Sequence, residues 1–122
     1  MAATIIMHYR IFAMTALFIG SCVPVASTAA TSPISIVASN WKFTPNSIQL
    51  RVGQESTLHL SSSQGVHGLQ SDALGIPLTT IAPGSSTNVK VIAKKAGKYV
   101  IHCAIMCGAG HPNMTLTVNV VP

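Results

Sequence analysis

Charge is scarce in this chain. Charged residues are 7% of the 122, and only two, Glu55 and Asp72, are acidic. Aromatic residues are equally few, at 5%. With no Arg-rich stripe and little aromatic interleaving, nucleic acid is excluded as a partner class. Low charge would fit disorder only if apolar residues were also rare, but they make up 48%, so the chain has material for a core. Because aromatics are few, that core must rest on Val, Ile and Leu, of which Val and Ile favour strands. Seven prolines and nine glycines argue against long helices. The length is that of one domain.

Residues 1–30 stand apart. Arg10 is their only charge, and the apolar run "IFAMTALFIGSCVPVASTAA" follows it. A basic start, an apolar middle and small residues at the end describe an export signal. Cleavage after Ala29 would leave Ser27 and Ala29 at the −3 and −1 positions. Two other readings stay open. "IGSC" ending at Cys22 resembles a bacterial lipobox, which would place a lipid on Cys22. The run could also remain as an anchor, although residues 11–23 are short for a span of about 20 and Pro24 interrupts them. All three place residues 31–122 outside the cytoplasm, in the periplasm or on the outer face of the cytoplasmic membrane, with possible attachment through the N-terminus. Without Arg10 the remainder carries six Lys/Arg against two acids, a mild and dispersed basic balance.

Turn signals recur about every ten residues: "TPN" at 44–46, "SSSQG" at 61–65, "APG" at 82–84 and "AG" at 96–97. Between them hydrophobicity alternates with period two. Ile48, Leu50 and Val52 share one face. Leu58 and Leu60 alternate with Thr57 and His59, Val89 and Val91 with Asn88 and Lys90, and Leu116, Val118 and Val120 with Thr115, Thr117 and Asn119. The expectation is an all-β sandwich or small barrel. In "GKYVIHC" the face carrying Lys98, Val100 and His102 is the wet one, so Cys103 points inward. Met114 shares parity with Leu116 and also points inward.

The stretch between those two sulfurs is unusual. "HCAIMCGAGHPNM", residues 102–114, holds two cysteines, two histidines and two methionines. Cys107, His111 and Met114 are three of the four groups of a one-copper blue site. The fourth should be a distant histidine. Of the five histidines, His8 lies in the leader, and His59 and His102 face outward on strands. His67, in "GVHG", remains. Cys103 is surplus to a one-copper site, but a second inward thiolate allows two coppers bridged by two sulfurs, each with one imidazole. Spreading one electron over two metals reduces the movement of each bond and favours fast transfer. A Cys103–Cys107 disulfide, zinc on two Cys and two His, and one copper with Cys103 idle are the competing readings. Each leaves at least one of these residues without a role. Met106 reads as loop packing rather than a ligand, and Trp41 as core rather than an electron-entry residue.

"CAIMCGAGHPNM" resembles the dinuclear copper (CuA) loop of cytochrome c oxidase subunit II, C-x-x-x-C-G-x-x-H-x-x-M. The likeness extends through "GVHGLQSDALGIPLTTIAPGSSTNVKVIAKKAGKYVIHC" and "FTPNSIQLRVGQ", covering residues 41–121. The copper domain of nitrous oxide reductase shares the spacing, but the Gly after the second Cys and the "GH" pair look more like the oxidase form. The resemblance implies a cupredoxin Greek-key sandwich. It implies that Cys103 and Cys107 bridge two coppers, that His67 and His111 each bind one, and that Met114 is a weak ligand. It also implies that Ile105 contributes its backbone carbonyl. Many family members have Glu at that position, whose side chain helps to hold magnesium beside subunit I; Ile cannot. Many also carry two membrane helices, where this chain has at most one. The implied role is an electron relay from cytochrome c or a similar soluble donor towards oxidase subunit I or another acceptor. The protein would not be catalytic alone, since protein groups fill every copper position. A periplasmic copper-delivery protein is the alternative. The expected rim of the metal is uncharged: Gly68, Leu69, Gly108, Ala109, Gly110 and Pro112.

Overall fold

The computed structural model describes residues 20–25 and 31–122. Most of the expected leader, including the Ala29 cleavage position, lies outside these residues. Residues 20–25, with Cys22, are exposed and lack regular secondary structure. Among the described residues no helix is long and apolar enough to cross a membrane.

The rest is almost entirely strand. In chain order these are β1 (Ile34–Ser39), β2 (Lys42–Thr44), β3 (Ser47–Arg51), β4 (Glu55–Ser62), β5 (His67–Ser71), β6 (Ile76–Ile81), β7 (Ser86–Ile92), β8 (Gly97–His102) and β9 (Thr115–Val121). A short 3-10 turn, His111–Asn113, interrupts the β8–β9 connection. One sheet has the order β2-β1-β4-β7 and a second the order β3-β9-β8. β5 and β6 form a separate hairpin. β1 with β4 and β3 with β9 are parallel; the other pairs are antiparallel. This is the expected β-sandwich.

Period-two alternation decides which residues fill it. Ile36, Leu58, Leu60, Val89 and Val91 come from the first sheet, and Ile48, Leu50, Ile101, Leu116, Val118 and Val120 from the second; all are buried in one core. Burying each such side chain stabilises the fold by about 1.5–3 kcal/mol. Their neighbours in sequence face water because the strand reverses its side chains at every residue. Val52 departs from the expectation. It lies one residue beyond β3 and is exposed, since the alternation lapses where the strand ends at the Gly53 turn, whose φ of 75° suits glycine. His59 and His102 face outward as expected, and the His59 ring pairs with Asn88 across β4 and β7 at 2.7 Å.

The architecture matters for what it brings together. β8 and β9 are antiparallel neighbours, so the connection between them must leave and re-enter the same end of the sandwich. The β5–β6 hairpin packs against β8 at that end, with the Ala104 N–H donating to the Gly68 carbonyl at 2.9 Å. The start of β5 and the β8–β9 connection therefore face one another.

Candidate metal centre

Cys103 follows β8 directly and is buried, as is Met114 just before β9. The Cys103 N–H donates to the Met114 carbonyl at 3.0 Å, which closes the neck of the loop and holds both side chains inward. Inside the loop, His111 N–H reaches Gly108 O at 3.1 Å and Met114 N–H reaches His111 O at 3.2 Å. These bonds curl residues 108–114 back over Cys107. Gly68 permits the approach of β5: a Cβ there would lie 2.7 Å from Ile105 Cγ1 and 3.2 Å from its backbone nitrogen.

The side chains sort into two pairs. Cys103 Sγ lies 4.0 Å from His67 Nδ1, and Cys107 Sγ lies 3.6 Å from His111 Nδ1. Each thiol has a further soft or neutral neighbour. The Ile105 carbonyl is 3.2 Å from Cys103 Sγ, and Met114 Sδ is 3.8 Å from Cys107 Sγ. The donor atoms of His67, Cys103 and Cys107 all lie within 4.8 Å of one another. His111 joins them through Cys107. All six residues expected from the sequence therefore meet at one place. The cysteines are free thiols.

His67 is held in one orientation. Its ring is fully buried, and Nε2 lies 2.7 Å from the Gln64 carbonyl. A carbonyl only accepts, so Nε2 carries the proton and Nδ1 presents its lone pair to Cys103. A hydrogen bond of this kind fixes the tautomer and leaves Nδ1 as the nitrogen able to bind a metal. Burial pushes the Cys107 thiol up to about 11, and the neighbouring Cys103 thiol adds to the rise. In the metal-free protein negative charge on Cys107 is therefore costly. A cation of soft preference answers that cost. The donor set of two thiols, two imidazoles and a thioether fits copper, and no carboxylate belongs to it.

Four residues lie elsewhere than expected. Trp41, read as core, is 41% exposed. It sits in the β1–β2 turn, donates its indole N–H to the Cys107 carbonyl at 2.9 Å, and covers Gly108 and Gly110, where a Cβ would collide with the ring. Gly108 is set by its φ of 121°, but Gly110, at φ −88°, is a glycine that only the overlying ring requires. Met106 does not pack; it is 78% exposed, beside Cys107, whose side chain turns towards the other thiol and Met114. Gly68 and Leu69 are not rim residues but are buried, since the start of β5 is covered on both faces. Val66, 47% exposed just before His67, takes their place at the surface.

The sequence profile of the cupredoxin-like domain matches residues 10–118. The chain belongs to the cupredoxin-like family. This cupredoxin is 29% identical over 101 residues to cytochrome c oxidase subunit 2 of Thermus thermophilus, covering 80% of this chain and 74% of that protein. A second subunit 2 sequence, also from Thermus thermophilus, has the same identity, and the match spans 60% of its length. The fold resembles the periplasmic domain of cytochrome oxidase subunit II of Bradyrhizobium japonicum, with a TM-score of 0.66, 17% identity and coverage of 73% of this chain and 83% of that one. It also resembles auracyanin A, a blue copper protein of Chloroflexus aurantiacus, with a TM-score of 0.56, 14% identity and coverage of 74% and 98%. At these identities the two structures speak for the fold alone. Family membership and the donor set together indicate copper.

Proposed function

We propose that this cupredoxin is an exported electron-transfer protein with a dinuclear copper centre. The observation that carries the reading is the pairing: each of two inward thiols has its own imidazole, Cys103 with His67 and Cys107 with His111. One copper would use one pair and leave the other idle. In this reading Cys103 and Cys107 bridge, His67 and His111 bind one copper each, and Met114 and the Ile105 carbonyl complete the set. Copper held so supplies a one-electron couple shared between two metals. The chain contributes rigidity, because a buried, hydrogen-bonded His67 and a buried Met114 move little when the charge changes. It also excludes water: His67, Cys103 and Met114 are nearly inaccessible.

The similarity to oxidase subunit 2 supports a place in respiration, with a soluble donor such as cytochrome c and subunit I of an oxidase as acceptor. Export agrees with the leader read in residues 1–30 and with the periplasmic site of the Bradyrhizobium relative. The turns and the loop that carry these residues expose an apolar set of side chains, Trp41, Val66, Met106, Ala109 and Pro112. A donor would dock on this patch. Copper delivery is the less favoured role, because a carrier must release its metal and three of the six residues, His67, Cys103 and Met114, are buried.

Metal analysis with electron paramagnetic resonance tests the proposal. Two coppers per chain and a mixed-valence signal are expected. One copper with a four-line spectrum would refute it.

A further inference from the structure

The two ligand-bearing segments, the start of β5 and the β8–β9 connection, are far apart in sequence, yet two adjacent residues touch both. Asn40 and Trp41 form the turn between β1 and β2. On one side Asn40 lies against Gly65, where a Cβ would sit 2.5 Å from Asn40 Oδ1 and 3.0 Å from His67 Nε2. The Asn40 side chain and the outer edge of the His67 ring thus both lie beside Gly65, in the space a side chain at 65 would need. The same segment is tied down by Ser63 N–H to Ala38 O at 2.9 Å and by the Ser62 hydroxyl to Gly65 O at 2.6 Å. On the other side Trp41 donates to the Cys107 carbonyl and lies over Gly108 and Gly110.

We propose that the Asn40–Trp41 turn is a positioning brace that sets the spacing between His67 and residues 107–111, so that displacement of one ligand segment is passed to the other. Neither residue contacts a reacting group as a ligand; both act through the segments they touch. The inference rests on the reading of these segments as metal-binding. The physical argument is geometric. Glycine at 65, at φ 79°, and glycines at 108 and 110 leave no side chain to absorb a shift of the turn. Contacts between backbone and side chain at this closeness transmit displacement rather than damp it.

The test uses the metal-free protein, with hydrogen exchange of the Trp41 indole N–H and the His67 Nε2–H followed by nuclear magnetic resonance. Gly65→Ala acts on the His67 side. It should speed exchange of the Trp41 indole by about fivefold or more, the effect of losing a typical hydrogen bond. In an Asn40→Gly background, where the side chain that Gly65→Ala pushes is gone, the same change should leave the Trp41 exchange within about twofold. The reverse arm is Trp41→Phe, which keeps a ring and removes the donor; His67 Nε2–H should then exchange faster while the Leu58 and Val118 amides do not change. This arm decides the question if Gly65→Ala does not fold. An unchanged Trp41 reporter in Gly65→Ala, an equal acceleration in the Asn40→Gly background, or a His67 reporter unmoved by Trp41→Phe would overturn the brace. Copper stoichiometry of the unsubstituted protein is measured separately. A failure there removes the dinuclear reading without altering the metal-free result.

Discussion

Gly68→Ala probes the packing of β5 on the ligand loop. Its backbone is not in the left-handed region, so alanine meets no conformational penalty, and limiting the unfolded chain would favour it by about 0.4–1 kcal/mol. Sterics oppose this. The new methyl would lie 2.7 Å from Ile105 Cγ1, 3.0 Å from Cδ1 and 3.2 Å from the Ile105 nitrogen. The first two contacts can be relieved by moving a side chain; the third requires the loop to retreat. Overpacking of this kind costs about 1–3 kcal/mol. Retreat also strains the bond from Ala104 N–H to Gly68 O, worth about 1 kcal/mol. The steric and hydrogen-bond losses outweigh the entropic gain, leaving a net loss of about 2 kcal/mol. Urea denaturation of the metal-free domain measures it, and at about 4–8 °C per kcal/mol the melting point should fall by roughly 10 °C. Copper loading should weaken in parallel, since the displaced backbone carries Cys103. Ile105→Ala removes Cγ1 and Cδ1 but not the nitrogen, so the double variant should recover about 1 kcal/mol as coupling. A Gly68→Ala protein as stable as the parent, or a cycle without coupling, would refute this account of the approach.

Other outcomes follow from the same geometry. Cys103→Ser should abolish the two-copper spectrum and leave at most one copper on the remaining Cys107, His111, Met114 and His67; two coppers with an unchanged spectrum would contradict bridging. Met114→Leu conserves volume at a fully buried position, so it should cost less than about 1.5 kcal/mol and retain both coppers with a shifted potential, read by voltammetry. Because burial holds Cys107 up to about 11, metal must displace its proton at neutral pH; apparent copper affinity should rise with pH and loading should be lost in acid. Loading that increased as pH fell would exclude thiolate ligation. For the metal-free domain the raised value works the other way: its contribution to stability is whole below the ordinary thiol range and is lost as pH rises through about 11, which denaturation at graded pH would register. Ala109→Glu in the apolar patch should slow electron transfer from a soluble donor about tenfold, equivalent to about 1.4 kcal/mol at the contact. Lys94→Glu with Lys95→Glu should matter less, because even Lys98 is roughly 16 Å from Cys103 along β8 at about 3.3 Å per residue, beyond a Debye length of about 10 Å at 0.1 M salt. A steep salt dependence with the opposite ranking would move docking to the lysines.

Strand parity is a local property, so the sequence alone determined that Cys103 and Met114 turn inward, that His102 turns out, and that Leu58, Val89 and Leu116 belong to the core. Elimination among five histidines left His67, because the others were accounted for by a leader, two strands and the loop itself. What parity cannot express is proximity between elements. Which thiol faces which imidazole depends on where the β5–β6 hairpin is set against the β8–β9 connection, and that is decided by the Ala104–Gly68 hydrogen bond and the absence of a side chain at Gly68. The same limit explains the displaced residues. Gly68 and Leu69 are buried because the start of β5 is covered on both faces, Met106 is exposed beside an inward-turned Cys107, and Trp41 is drawn out of the core by a carbonyl and two glycines more than sixty residues away. Alternation along one strand carries no information about such partners; only the packing of one element on another does.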